Sequence, residues 1–217
     1  MGRIAIFGDL HIRESALDEF KPFTRAFPQY TKEVDRIVFL GDIFDKHHPT
    51  VQEVYEATQF FSKIDVPVVI ITGNHDYCSS NLSSIDYLSF INPLITVIKE
   101  SEWIDENNNY FGHYFTDTSQ YNFGGHKPKY TTNELSNKYK YCFLGHQHTY
   151  QELSSNCWHV GSIDYVGFGE VIYGNSTKKY AILEDKPQFY NINTCIPMVS
   201  TEQFEDLKSI DCRTKVR

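Results

Sequence analysis

At 217 residues, 41% hydrophobic and 22% charged, the chain has the composition of one soluble globular domain, and the same figures exclude disorder. No apolar run approaches the ~20 residues that span a bilayer, and the N-terminus enters a strand pattern directly, so a soluble, cytoplasmic protein without a membrane partner is expected. The net charge of −8 withholds the basic footprint of many nucleic-acid binders, yet two divalent cations would bring about four positive charges into a cleft, so charge neither supports nor excludes a polynucleotide substrate.

In chain order, Ile4-Ala5-Ile6-Phe7 reads as a buried strand closed by Gly8-Asp9-Leu10-His11. Over residues 14–33, Leu17, Phe20, Phe23, Phe27 and Tyr30 recur near helical spacing, and Pro22 and Pro28 interrupt them, predicting one or two short helices with an aromatic core stripe. A second strand, Arg36-Ile37-Val38-Phe39-Leu40, closes on Gly41-Asp42. After the loop 43–49, Thr50-Val51-Gln52-Glu53 has capping-box spacing and predicts a helix from about 51 to 63. Pro67 precedes a third strand, 68–72, closed by Gly73-Asn74-His75-Asp76. Such a β-α-β-α-β start predicts a largely parallel sheet.

From residue 94 the pattern shortens: Leu94 to Ile98, a turn at Asn107-Asn108-Asn109, then Tyr110-Phe111 closed by Gly112-His113. Residues 115–140, polar and carrying Gly124-Gly125, are expected to form a long functional loop. Strands are expected again at 141–144, closed by Gly145-His146-Gln147-His148, and at 157–160, 178–183 and 187–193. No linker or repeat divides the chain, so 1–217 is read as one domain. Five cysteines, Cys78, Cys142, Cys157, Cys195 and Cys212, are odd in number and lack CxxC spacing, and are read as reduced.

Five apolar runs thus end in glycine followed by Asp9, Asp42, Asn74, His113 or His146, with His11 and His148 one step further along their loops. A glycine at the exit is expected to permit a sharp turn, placing each polar residue at the carboxyl rim of a sheet, where α/β proteins bind ligands. Carboxylate, imidazole and amide donors without thiolate suit Mn, Fe or Zn rather than a structural zinc clamp. Taken singly, each word reads as a turn, a cap or surface histidines; their joint order is what carries the chemistry.

With Asp-x-His, Gly-Asp-x-x, Gly-Asn-His-Asp, a single His and Gly-His-x-His all present, the sequence resembles the calcineurin-like metallophosphoesterases over about residues 3–170. The resemblance implies an α/β fold, a two-sheet β-sandwich flanked by helices. It implies two divalent metal ions, Mn first and Fe, Zn or Mg as alternatives. Asp9, His11, Asp42 and His148 would hold one ion, and Asp42, Asn74, His113 and His146 the other, Asp42 lending one oxygen to each. A water shared by the ions would attack phosphorus, His75 would protonate the leaving group, and Asp76 would orient His75. For the single family histidine, His126 competes with His113; only His113 ends an apolar run.

Flanking words, Gly41-Asp42-Ile43-Phe44-Asp45, Thr72-Gly73-Asn74-His75-Asp76 and Gly161-Ser162 through Phe168-Gly169-Glu170, look like the SbcD-type DNA repair nucleases. Phe111-Gly112-His113 and Gly145-His146-Gln147-His148-Thr149 look most like the recombination nucleases of large bacteriophages. Ile163 departs from the usual Gly-Ser-Pro. The branch implies DNA as substrate, exonuclease or endonuclease activity, an SMC-like ATPase subunit as partner and a homodimer; its capping and ATPase-docking segments are expected to lie outside these residues. Lys127, Lys129, Lys138 and Lys140 among Tyr130, Tyr139 and Tyr141 form either a phosphate track or a solvated loop, while Lys46, His47 and His48 are expected to border the site. Two rivals stand beside the nuclease: an enzyme on small nucleotide phosphoesters, and a non-catalytic scaffold of the same fold.

Overall fold

The computed structural model describes residues 2–79, 81–120, 127–167, 170 and 177–194, with the backbone of 198–199 and 215–216. The elements begin with β1 (Ile4–Phe7), a 3-10 turn (Glu14–Ala16), α1 (Leu17–Tyr30), β2 (Arg36–Phe39), α2 (Val51–Phe61) and β3 (Val68–Ile71). They continue through β4 (Tyr77–Ser79), β5 (Leu82–Ser83), α3 (Leu88–Ile91), β6 (Ile95–Ile98), β7 (Glu102–Ile104), β8 (Tyr110–Gly112) and α4 (Thr132–Lys138). The last are β9 (Cys142–Leu144), β10 (Gln151–Ser154), β11 (Cys157–His159), β12 (Lys179–Leu183), β13 (Pro187–Asn191), β14 (Met198–Val199) and β15 (Lys215–Val216).

β1 sends Ile4 and Ile6 into one core and Ala5 and Phe7 into another, the period of two that a strand buried on both faces requires. It sits inside a six-stranded sheet of order β13-β12-β1-β2-β3-β6, in which β1, β2, β3 and β6 run parallel (Ile4 opposite Arg36, Ile37 opposite Val68, Val68 opposite Ile95). β12 closes back on β1 antiparallel, Ile4 opposite Leu183. A five-stranded sheet, β10-β11-β9-β8-β7, faces it, with β8, β9 and β11 parallel.

Between the sheets lie Ile6, Val38 and Ile71 from one and Phe111, Phe143 and Trp158 from the other, the aromatic rings stacked at centroid distances of 5.6 and 5.7 Å. α1 and α2 cover the outer face of the six-stranded sheet, where Phe23, Phe27 and Phe60 meet Phe7 and Phe39. Burying each such ring contributes roughly 1.5–3 kcal/mol. α4 covers the other sheet through Leu135 and Tyr139 against Tyr110, Cys142 and Cys157. The sandwich flanked by helices is the architecture expected from the sequence.

Two local expectations are refined. Of the one or two short helices expected, the first segment forms one, longer than expected: α1 runs unbroken from Leu17 to Tyr30 through Pro22 and Pro28. Each proline removes a backbone donor, but Phe20, Phe23 and Phe27 are buried against Phe60 and the sheet, and that packing outweighs the lost bonds. Residues 115–140 are not one loop, since α4 forms within them. Its signal was Thr131-x-x-Glu134: Thr131 Oγ1 accepts from Glu134 N while the Glu134 carboxylate accepts from Thr131 N, the same capping box that starts α2 at Thr50. Cys78, Cys142 and Cys157 are free thiols, and Cys195 and Cys212 lie outside the described residues. Among the described residues no helix is long and apolar enough to cross a membrane.

Candidate metal centre

Parallel strands leave a sheet at a common edge, so β1, β2 and β3 deliver Asp9, Asp42 and Asn74 side by side, while β8 and β9 bring His113 and His146 from the facing sheet. Five glycines were expected to serve turns at these exits. Among them only Gly41 has a left-handed backbone, at φ 93°. Gly8, Gly73 and Gly145 are small because loops from different strands touch: a Cβ on Gly8 would lie 1.9 Å from Gly161 O, on Gly73 2.2 Å from Asp42 N, and on Gly145 2.5 Å from Leu40 O, while at Gly112 the nearest atoms belong to the Tyr110 and Tyr114 side chains at 2.9 and 3.1 Å. Turn freedom gives way to close approach as the physical reason.

Three non-glycine residues carry the strain instead, His11 (φ 45°), Asp42 (φ 47°) and His146 (φ 71°). Such conformations cost of order 1–3 kcal/mol each and persist where the surroundings hold them. Here Leu10 N and His11 N both donate to Asp42 O (3.1 and 2.9 Å), and His146 N donates to Asp9 Oδ1 (3.1 Å).

The side chains converge in two groups. In the first, His11 Nε2 lies 3.0 Å from His148 Nε2, 3.9 Å from Asp9 Oδ2 and 3.8 Å from Asp42 Oδ2, and His148 Nε2 lies 3.8 Å from Asp9 Oδ2. In the second, Asn74 Oδ1 meets His113 Nε2 at 3.0 Å and His146 Nδ1 at 2.9 Å, and His113 Nε2 is 3.2 Å from Asp42 Oδ2. Asp42 Oδ2 therefore faces both groups. Its Oδ1 accepts from His75 N at 2.8 Å, which leaves Oδ2 as the oxygen turned to the two groups.

The donor set fits divalent cations. Asp9 Oδ2 is buried without a hydrogen-bond partner and faces two imidazole nitrogens, an arrangement whose missing member is a positive charge. Asp9, His11 and His148 can present ligand atoms within 4.8 Å of one another, as can Asp9, Asp42 and His113. Electrostatics agree. Burial opposes a charge on His113, but the Asp42 and Asp9 carboxylates pull it up to about 10, so without a cation a proton supplies the charge. Burial would raise Asp42, yet His113 and then His11 hold its carboxyl below the usual range. His146 is pushed down to about 4 by burial and by His113.

His75 and Asp76 do not pair. Asp76 is fully buried, and its carboxylate accepts from Ile43 N (3.0 Å), Phe44 N (3.4 Å) and Gly73 N (3.0 Å), tying the β2 and β3 exits together. Burial and the Asp42 charge raise it to about 7. The orienting role expected of Asp76 falls to the backbone: His75 Nδ1 donates to Asp45 O at 2.6 Å, directing Nε2 the other way. His75 also joins His11 and Asp42 in a third grouping within 4.8 Å.

Sequence reading missed three contributors behind the cluster. Asp45 Oδ1 lies 3.2 Å from His11 Nδ1, Glu170 Oε1 lies 3.5 Å from His148 Nδ1, and Lys178 pairs with Glu170. Asp45 and Glu170 stood inside the motif words without a role, and Lys178 carried no signal. His126 lies outside the described residues. Of the lysine–tyrosine series, Lys129 bonds Glu102 at 3.1 Å and sits over Tyr114 and Tyr130, and Tyr139 is buried on Tyr110, so these aromatics are occupied by the protein itself. Lys46, His47 and His48 are exposed beside the site, His47 stacking on His75 at 6.1 Å.

The sequence model described as calcineurin-like phosphoesterase matches residues 2–150. A novel archaeal phosphodiesterase of solved structure is similar to 87% of this chain over 99% of its own, with TM-score 0.54 at 15% identity, which shows a shared fold. A Pseudomonas putida nuclease named MPE (TM-score 0.46, 14% identity, 87% of this chain and 86% of its own) and Yfce, a phosphoesterase from E. coli (TM-score 0.43, 13% identity, 88% and 93%), are more distant. No curated protein matches the sequence.

Proposed function

Since the chain belongs to the calcineurin-like phosphoesterase family, a family of metal-dependent hydrolases, we propose that it is a Mn-dependent phosphodiesterase that cleaves DNA, an exonuclease or endonuclease of the SbcD type. The observation that supports this reading is the gathering of seven donor residues, Asp42 among them, into two groups that Asp42 Oδ2 joins through His11 and His113, in a site buried at its floor and open at its rim. Asp9, His11, Asp42 and His113 are buried, whereas Asn74 is exposed and His75, His146 and His148 are half-buried. A cleft of that shape admits one phosphate of a long chain without enclosing the polymer. The flanking words Gly41–Asp45 and Gly145–Thr149 support DNA over a small ester.

On this reading Asp9, His11, Asp42 and His148 would hold one divalent cation, and Asp42, Asn74, His113 and His146 the other. When bound, the pair supplies Lewis acidity, neutralising phosphate charge and making water a nucleophile near neutral pH. The protein's own contribution is alignment. Asp45 O fixes the proton on His75 Nδ1, so His75 works through Nε2 and, in the imidazolium form, gives a proton from it to the departing oxygen. Asp76 holds the two loops that carry Asp42 and His75. Lys46, His47 and His48 meet the phosphate backbone beside the scissile bond. An SMC-like ATPase subunit and a second copy of the chain are the partners, in the cytoplasm.

The test is degradation of end-labelled linear DNA with Mn2+, using Asp42→Ala as blank and bis(p-nitrophenyl) phosphate in parallel. DNA cleavage above the blank is expected. Intact DNA with hydrolysis of the chromogenic diester overturns the DNA assignment in favour of a small phosphodiester, and inactivity on both overturns the hydrolase.

A further inference from the structure

Lys178 is 1% exposed, a buried ammonium that must find anionic or carbonyl partners. Its Nζ donates to His148 O and to Ser162 Oγ, both at 2.8 Å, pairs with Glu170 Oε2, and sits 4.7 Å from the centroid of the Tyr165 ring. Glu170 uses its other oxygen differently. Oε1 accepts from Val166 N (2.8 Å) and Gly167 N (2.9 Å) and lies 3.5 Å from His148 Nδ1. His148 is thus engaged twice, hydrogen-bonded at its carbonyl by Lys178 and faced at its ring by the Glu170 carboxylate. Its remaining nitrogen, Nε2, faces Asp9 Oδ2 and His11 Nε2.

We propose that Glu170, clamped by Lys178, is a positioning residue that keeps the His148 proton on Nδ1 and so turns the Nε2 lone pair toward the cation shared with Asp9 and His11. The proposal rests on the metal-centre reading given above. A carboxylate behind a ligating imidazole fixes its tautomer and raises its basicity. As a stabilising device alone a buried ion pair is poor, because desolvation of both charges offsets their attraction; the imidazole it grips accounts for the geometry. His11 Nδ1 lies 3.2 Å from Asp45 Oδ1 without hydrogen-bond geometry, whereas His113 Nδ1 meets a neutral carbonyl, Leu40 O at 2.6 Å. Glu170 and Lys178 also lie beyond the family match at residues 2–150, so the segment after it completes the centre.

Glu170→Met alone leaves the Lys178 charge buried without its anion and destabilises the fold, so the decisive variant is Glu170→Met with Lys178→Met, which removes both charges and leaves no acceptor oxygen at residue 170 to face His148 Nδ1. Two measurements are made on the full chain, 15N imidazole NMR of His148 without any cation, and calorimetric titration with Mn2+. In a double variant that unfolds cooperatively, the His148 proton is expected to leave Nδ1, and one of two Mn2+ affinities to fall about 10- to 100-fold while the other holds. An unchanged tautomer with both Mn2+ affinities intact overturns the proposal. If the wild-type chain takes up no Mn2+, the cation half is overturned with the metal-centre reading, and the cation-free tautomer still decides whether Glu170 positions His148.

Discussion

Gly73→Ala tests whether the strand-exit glycines act by close approach. A Cβ at residue 73 would lie 2.2 Å from both Asp42 N and Asp42 Oδ1, where ordinary contact begins at 3.4 Å, so one loop must move by about 1.2 Å. Neither neighbour yields cheaply, because Asp42 O already binds Leu10 N and His11 N, and Asp76 ties Gly73 N to Ile43 N. Overpacking of this kind costs roughly 1–3 kcal/mol. For a chain of this size that is roughly 2–12 °C in Tm, at about 2–4 °C per kcal/mol. The effect on turnover is larger. A misplacement of about 1 Å costs on the order of 100-fold in rate, so hydrolysis of bis(p-nitrophenyl) phosphate in Mn2+ is expected to fall by that factor while the protein stays folded. Gly167→Ala is the control, since its Cβ would meet nothing within 4 Å. Turnover of Gly73→Ala within about threefold of wild type refutes the reasoning, as it would show that a shift near 1 Å at Asp42 is harmless.

His75→Gln should lower turnover by about 10²–10⁴-fold if its Nε2 protonates the leaving group, with Mn2+ affinity by calorimetry unchanged; loss of Mn2+ binding would make His75 a ligand instead. Asp76→Ala leaves the amides of Gly73 and Ile43 buried without their acceptor, at about 1–3 kcal/mol for each such group, so its Tm should drop whether or not Mn2+ is present. In the cation-free protein His113 is raised from 6.5 to about 10, so the stability its proton contributes is fully present below pH 6.5 and is lost as pH rises through 10. Thermal scans over that window should show Tm falling with EDTA and holding with Mn2+, and parallel curves would contradict the assignment of His113 to the cation cluster.

Much of the architecture was readable because its causes are local. Apolar runs at Ile4–Phe7, Arg36–Phe39 and Val68–Ile71 with a capped helix between the last two predict a parallel sheet, and the same runs name the residues at its edge. α4 was legible in principle from Thr131 and Glu134, but the polar composition around it masked the capping box. The continuity of α1 was not legible, since Pro22 and Pro28 argue locally for a break and only the aromatic layer formed with Phe7, Phe39 and Phe60 answers them.

What the sequence alone determined is the set of chemical groups brought to the rim, for a strand's end is written in its own residues. What only the tertiary structure decided is how those groups divide their work: that Asp42 turns one oxygen to both clusters and the other to His75 N, that Asp76 binds backbone amides rather than His75, and that Glu170 and Lys178 reach His148 from beyond residue 150. Each of these depends on distances between residues far apart in the chain, which no local pattern encodes and which are set by how two sheets and their exit loops pack.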